Sequence, residues 1–339
     1  MRKSCVLSAL FVLASGTTPA VQAQWSGPLF GLATAPNGDI LVADTGAGVV
    51  NDDTGALIHS LPGITDIAPI GSGSFWVTRT ATDPLGATDS GQALLRVSKG
   101  KARVLVNLFQ FEAANNPHPA NVQSNPFDVL SLGGHAALVS DAAGNDLLRV
   151  DDEGNVEVLA IFPTRLVSTV SLKSAIGCPG SGLPPCFVPD MMPAEAVPTS
   201  VAVGSDGYYY VGELRGFPGP LGQSSIWRVA PWASWADCGV SPDCTVVFDG
   251  GFTSILDLAW GPDGLLYVVE FDENAWFAAQ ILGIQAGGTV NACDVDTLSC
   301  VEVATGISYV TAITFGKRGE LYATQDAIIP PLASIIEIP

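Results

Sequence analysis

Six segments of fourteen residues follow one plan: "GLATAPNGDILVAD" (31–44), "DIAPIGSGSFWVTR" (66–79), "DVLSLGGHAALVSD" (128–141), "SVAVGSDGYYYVGE" (200–213), "DLAWGPDGLLYVVE" (257–270) and "AITFGKRGELYATQ" (312–325). Each reads as a strand, a tight turn and a second antiparallel strand. The turns "APNG", "GSDG" and "GPDG" place Asn or Asp before Gly, where a left-handed backbone is needed. Further strands follow most units, such as "ALLRVS" then "ARVLVNL", and "DLLRVD" then "NVEVLAIF". Four-stranded modules repeated six times predict an all-β chain folded as a six-bladed β-propeller. The apolar runs are nearly continuous, as expected for inner strands covered on both faces by neighbouring modules. With 37 Gly and 24 Pro, the chain suits many short strands better than long helices.

The last module offers only three strands, "TAITFG", "ELYATQ" and "SIIEIP". A propeller must close its ring, so a strand from the mature N-terminus, near Gln24 to Leu29, is expected to complete the last blade. Arg2 and Lys3 precede the apolar run "VLSALFVLA", and Val21 and Ala23 fit a small-residue cleavage pattern. Residues 1–23 therefore read as a signal peptide and residues 24–339 as one propeller domain. The run is too short to span a bilayer, and no later stretch is long enough.

Removing that signal takes away two positive charges and no acid, so the formal charge of −19 deepens to −21. Such a surface argues against nucleic acid and favours cations or basic partners. Outside the signal, six cysteines fall into close pairs. Nearest-neighbour bridges Cys178–Cys186, Cys238–Cys244 and Cys293–Cys300 are expected, in a secreted or periplasmic protein. Metal binding by these cysteines is the alternative. It would want tighter spacing or clustered histidines, and the chain has only His59, His118 and His135.

Propeller geometry converts repeat positions into a place. The first and last residues of each unit share one face of the ring. The first positions are Gly31, Asp66, Asp128, Ser200, Asp257 and Ala312. The last are Asp44, Arg79, Asp141, Glu213, Glu270 and Gln325. Asp66, Asp128 and Asp257 are candidate ligands for calcium or another divalent cation in the central channel, with Thr65, Thr199 and Thr311 as nearby oxygens. Asp44, Asp141, Glu213 and Glu270 are candidates for binding a ligand at this acidic mouth. The competing reading has all seven carboxylates bonded to neighbouring backbone. The longest insertions, including 163–198, fall on the same face, which makes it the expected working face. Trp76 and Trp260 read as blade core, and Trp276 as a mouth-loop residue that packs or stacks. No phosphate loop, zinc motif or nucleophile elbow is present.

The segments "FEAANNP" (111–117), "SNPFDVLSLGG", "VSDAAGNDLLRVD", "VPTSVAVGSDGYYYVGELRGFPGP" and "LDLAWGPDGLLYVVE" together resemble the ScyD/ScyE family, named from scytonemin biosynthesis. The resemblance spans nearly the whole mature chain. It implies a secreted or periplasmic propeller similar to NHL-type and gluconolactonase-like ones. Gluconolactonase-like propellers hold a divalent metal in the channel, one residue before the inner-strand start. Here those positions include Phe30, Phe127 and Leu256, which cannot ligate. The six-cysteine pattern and the insertion around Cys178 and Cys186 also depart from the family. The resulting expectation is a monomeric binding propeller taking a small molecule, cation or protein, with no membrane span. The rival is a metal-dependent hydrolase-like or secondary-metabolite-maturation enzyme, with Glu213 or Glu270 as base.

Overall fold

A computed structural model describes residues 25–71, 73–83, 85–119 and 122–339; the expected signal peptide lies outside them. Six small antiparallel sheets form a ring, and each of the six repeat units supplies the two innermost strands of one blade. These inner strands are Leu29–Thr34, Ile64–Gly71, Pro126–Ser131, Pro198–Val203, Ile255–Trp260 and Ile313–Phe315, for blades 1 to 6 in order. Two of the second strands, Ile40–Asp44 and Tyr209–Glu213, are buried at every residue, and the others are mostly buried, as the continuous apolar runs require.

One apolar cluster sits at each junction between blades. Leu41, Val49, Ile67 and Val77 join blades 1 and 2, for example, while Val269, Val290, Ile313 and Ala323 join blades 5 and 6. The ring is therefore held by six separate cores rather than one. Blade 3 gains a fifth strand, Ala236–Asp237, which crosses over from blade 4 and pairs in parallel with Val156–Ile161. All three expected disulfides are formed, and Cys293–Cys300 bridges directly paired positions in blade 5.

Closure of the ring differs from the sequence expectation. Blade 6 has three strands, and residues 25–29 add no fourth; Gln24 lies outside the described residues. The N-terminal segment instead leads directly into the innermost strand of blade 1, which commits it to the hub and leaves it unavailable to the outer rim. The seam is closed at the hub. Leu29 N–H donates to Ala327 O at 2.9 Å, Thr311 Oγ1 donates to Leu29 O at 2.6 Å, and Thr34 Oγ1 donates to Phe315 O at 2.7 Å. Trp25, Leu29, Ala312, Ala327 and Ala333 fill the apolar side of the same seam.

In blades 1 to 5 the inner strand carries a β-bulge near its start. Leu29 pairs with Asp44 and Gly31 with Ala43, so Phe30 is the extra residue. Thr65, Phe127, Thr199 and Leu256 are extra in the same way. A bulge re-aims side chains and bends its strand. The bulge threonines, with Thr311 at the matching place in blade 6, reach the next blade. Thr65 Oγ1 donates to Pro126 O at 2.9 Å and Thr199 Oγ1 to Ile255 O at 2.7 Å, as Thr311 does to Leu29 O.

Replacing Thr311 with Val keeps the shape but strips the hydroxyl that serves the carbonyl of Leu29. Leaving such a buried acceptor unpaired costs about 1–3 kcal/mol. Urea unfolding of Thr311→Val should show a loss of that size. A wild-type midpoint would mean that the hub bonds do not hold the seam.

Candidate functional site

The ring encloses a channel of about 540 Å³. Its lining runs from Phe30, Asp66, Phe127, Asp128, Leu256 and Asp257 at one end to Thr34, Pro69, Ser131, Val203, Trp260 and Phe315 at the other. The first end belongs to the loop-bearing face. There the bulges turn Phe30 and Phe127 toward one another across blade 2, with ring centroids 5.4 Å apart. Leu256 and Phe127 also pack with Phe271, Tyr309, Trp276 and Ile328 from the loops. This apolar plug closes over the three aspartates. The cavity reaches instead toward the turn-bearing face, where Val203 is 37% exposed. The elaborated mouth is thus the plugged end of the channel.

Asp66, Asp128 and Asp257 all line the cavity. Each also reaches sideways to the inner strand of the following blade. Asp66 Oδ2 accepts from Val129 N–H at 3.0 Å, Asp128 Oδ2 from Val201 N–H at 2.5 Å, and Asp257 Oδ2 from Ile313 N–H at 2.8 Å. Gly31 leaves the room that Asp66 needs, since a Cβ there would lie 2.1 Å from its Oδ1. The Asp66 and Asp128 carboxyls lie within hydrogen-bonding reach of one another, and Asp257 lines the same cavity from blade 5. Burial, then the charge of Asp128, push the Asp66 carboxyl well above its ordinary value. Burial followed by Asp128 does the same to Asp257, and burial raises Asp128 itself. Among the described residues, no three His, Cys, Asp or Glu side chains gather into a metal-holding group. Thr65, Thr199 and Thr311 spend their hydroxyls on backbone carbonyls.

The four carboxylates at the unit ends lie away from the cavity lining and are heavily bonded. Asp44 accepts from the N–H groups of Ser26 (2.7 Å), Gly46 and Ala47. Asp141 accepts from Ser124 Oγ and from the N–H groups of Asn125, Ala143 and Gly144. Glu213 takes Ser225 N–H, Trp227 Nε1 at 3.0 Å and the guanidinium of Arg215. Glu270 takes Thr253 N–H and Asn291 Nδ2. In Asp44, Asp141 and Glu270 the carboxylate binds the loop that leads into its own blade's inner strand, which fixes where that strand begins.

Two lining residues escape a reading by repeat position alone. Trp260 lines the channel rather than packing only as blade core, with Tyr210 edge-on at 5.2 Å. Phe315 stands beside it in the lining, against Tyr267 at 4.9 Å. Both close their inner strands, a position that signals the far rim of the channel. Trp76 is fully buried core, and Trp276 donates Nε1–H to Arg215 O at 3.0 Å within the plug cluster.

No family model matches the sequence, and no curated protein matches it. Solved structures do resemble it. Virginiamycin B lyase from Staphylococcus aureus is 13% identical, with 93% of this chain and 86% of that one aligned and a TM-score of 0.52. A gluconolactonase from Xanthomonas campestris is 12% identical over 94% and 88% of the two chains, with a TM-score of 0.55. A Bacteroides thetaiotaomicron protein of unknown function gives 0.54 at 10% identity, over 92% of this chain and 69% of that one. The likeness is one of fold.

The raised carboxyls set a pH dependence. Such a group binds its proton more tightly folded than unfolded. Its stabilisation is fully present below the ordinary carboxylate value and is lost as pH rises through the folded value. For Glu270, raised chiefly by burial, that window runs from 4.5 to about 7. Stability should fall as pH climbs from 5 to 8. Glu270→Gln keeps both contacts once the Asn291 amide turns over, and it should remove on the order of 2–3 kcal/mol of that fall. Urea midpoints across this range test it; a variant profile parallel to wild type would be the contrary result.

Proposed function

We propose that the chain is an exported, ScyD/ScyE-like propeller that binds a small molecule in its central channel. The channel itself carries this reading: a cavity within the usual range for ligand sites, with walls of mixed apolar and polar surface and convergent carboxyls at its closed end. The ligand enters from the turn-bearing face, past Val203 and Trp260. Its apolar body lies along Leu32, Val129 and Leu258. An amine or hydroxyl donor meets the Asp66–Asp128 pair, with Asp257 opposite. The net charge of −19 favours a cationic head group.

Export is supported by the signal-like N-terminus and by three disulfides, which belong to an oxidising compartment. Among the described residues, no helix is long and apolar enough to cross a membrane. In this reading Asp44, Asp141, Glu213 and Glu270 anchor loops rather than touch the ligand. The fold neighbours include a lyase and a gluconolactonase, so chemistry on a bound small molecule is compatible with this architecture.

Trp260 supplies the test. A panel of aromatic amines and phenols should contain members that quench its fluorescence saturably. Asp128→Asn should weaken those members ~10-fold, the scale of one charge-assisted hydrogen bond. Val203→Trp, at the open end, should block them. Ligands that bind both variants as well as wild type, or a panel with no saturable member, would remove the channel as the site.

A further inference from the structure

Away from the channel, two acids are buried with no counterpart. Glu112 lies on the short helix Leu108–Asn115, which follows the outer strand of blade 2. Asp146 begins the third strand of blade 3, Asp146–Asp151. Asp146 is 0% exposed and Glu112 is 1% exposed. Their side chains lie within hydrogen-bonding reach of one another. Neither oxygen of Asp146 has a donor, and neither does Glu112 Oε1. Neighbouring Asp141 offers no relief, because its own oxygens are taken by Ser124 Oγ and three backbone N–H groups. Among the described residues, neither acid joins an ion pair.

A third shielded oxygen belongs to the cap of the same helix. Asn116 caps the C-terminus of the same helix, four residues after Glu112, and its N–H donates to Glu112 O. Its Oδ1 is shielded from solvent and has no donor either. The C-terminal end of a helix favours positive charge. Both acids sit in segments singled out in the sequence, "FEAANNP" and "VSDAAGNDLLRVD".

A pair of buried carboxyls without other donors is relieved either by a shared proton or by a cation between them. Every available donor atom is oxygen, carboxylate or amide, which suits a hard cation. Buried oxygens shielded from water suit calcium better than magnesium, which retains its waters. We propose that Glu112, Asp146 and Asn116 Oδ1 form a calcium-class cation site that fastens the blade 2 helix to blade 3. The bound ion joins two loops on the face that carries the channel plug, at a place separate from Asp66, Asp128 and Asp257.

Equilibrium dialysis of the full chain against calcium chloride, after chelator treatment, tests this. Wild type should take up calcium stoichiometrically and melt at a higher temperature with calcium than with chelator. Asp146→Asn and Glu112→Gln should lose both effects. Asn116→Gly tolerates the left-handed backbone at that residue (φ 43°) and should bind calcium several-fold more weakly. Asp257→Asn should bind it as wild type does. Retention by Asp146→Asn with loss in Asp257→Asn would move the ion into the channel and overturn the assignment. No uptake and no thermal shift in wild type would overturn it too, leaving a shared proton between the two acids. Ligand quenching of Trp260 is read separately, so failure here leaves the channel reading intact.

Discussion

The bulge near the start of the inner strands is the constraint on which the centre of this propeller depends. It inserts one residue between two paired positions in each of five blades. Without it, the aspartate and the residue before it would alternate strictly across the strand, one facing the channel and the other the blade. With it, consecutive residues serve the hub together. In blades 1, 3 and 5 the extra residue is large and apolar: Phe30, Phe127 and Leu256. In blades 2 and 4 it is threonine, as it is at the matching position in blade 6. Three bulky side chains fill the axis, and threonines between them bond the next blade. The hub thus has an approximate threefold alternation within a sixfold ring.

That alternation separates two jobs. Apolar residues exclude water from one end of the channel, while threonine and aspartate carry hydrogen bonds from blade to blade. Thr65 and Asp66 serve the junction of blades 2 and 3, Asp128 that of 3 and 4, and Thr199 that of 4 and 5. Asp257 serves blades 5 and 6, and Thr311 the closing seam. The junction of blades 1 and 2 carries Gly31, whose missing side chain gives Asp66 its space. An aspartate in this role does two things at once. One oxygen meets a backbone N–H, and the carboxyl still borders the cavity. Three of the blade junctions and the polar end of the channel are therefore served by the same three aspartates.

Most of the fold was legible because the repeat is phase-locked. A fourteen-residue unit repeated six times, with Asn-Gly or Asp-Gly in the turn of three, leaves little choice but an inner hairpin. The cysteine pairing followed from spacing alone. The bulges were not legible, because a one-residue insertion preserves the unit length and shows only in the pairing register. For that reason Phe30, Phe127 and Leu256 read merely as positions unable to hold a metal, when together they close the channel. The closing strand was misjudged for a related reason. Counting strands per blade assumes closure at the rim, whereas Leu29 and Thr311 close the ring at the hub. Glu112 and Asp146 are far apart in sequence and belong to no repeat position, so only packing brings them together.

The same reasoning explains why acids recur at the ends of the second strands. Where the strand ends on an acid, that end is buried, and the chain must then leave the core through a loop. The loop arriving at the inner strand brings backbone N–H groups that no sheet partner satisfies. A carboxylate can accept two or more of them, with each oxygen fixed by geometry. Asp141 takes Asn125 N–H and the Ser124 hydroxyl from the arriving loop, and the N–H groups of Ala143 and Gly144 from the departing one. Burial raises its proton affinity and the donors lower it, and the balance remains on the raised side. An apolar residue at this position would leave those amides unpaired. A serine would serve fewer of them. The acidity of the repeat's last position is thus first a requirement of the backbone, and the surplus of negative charge on the chain is partly its consequence.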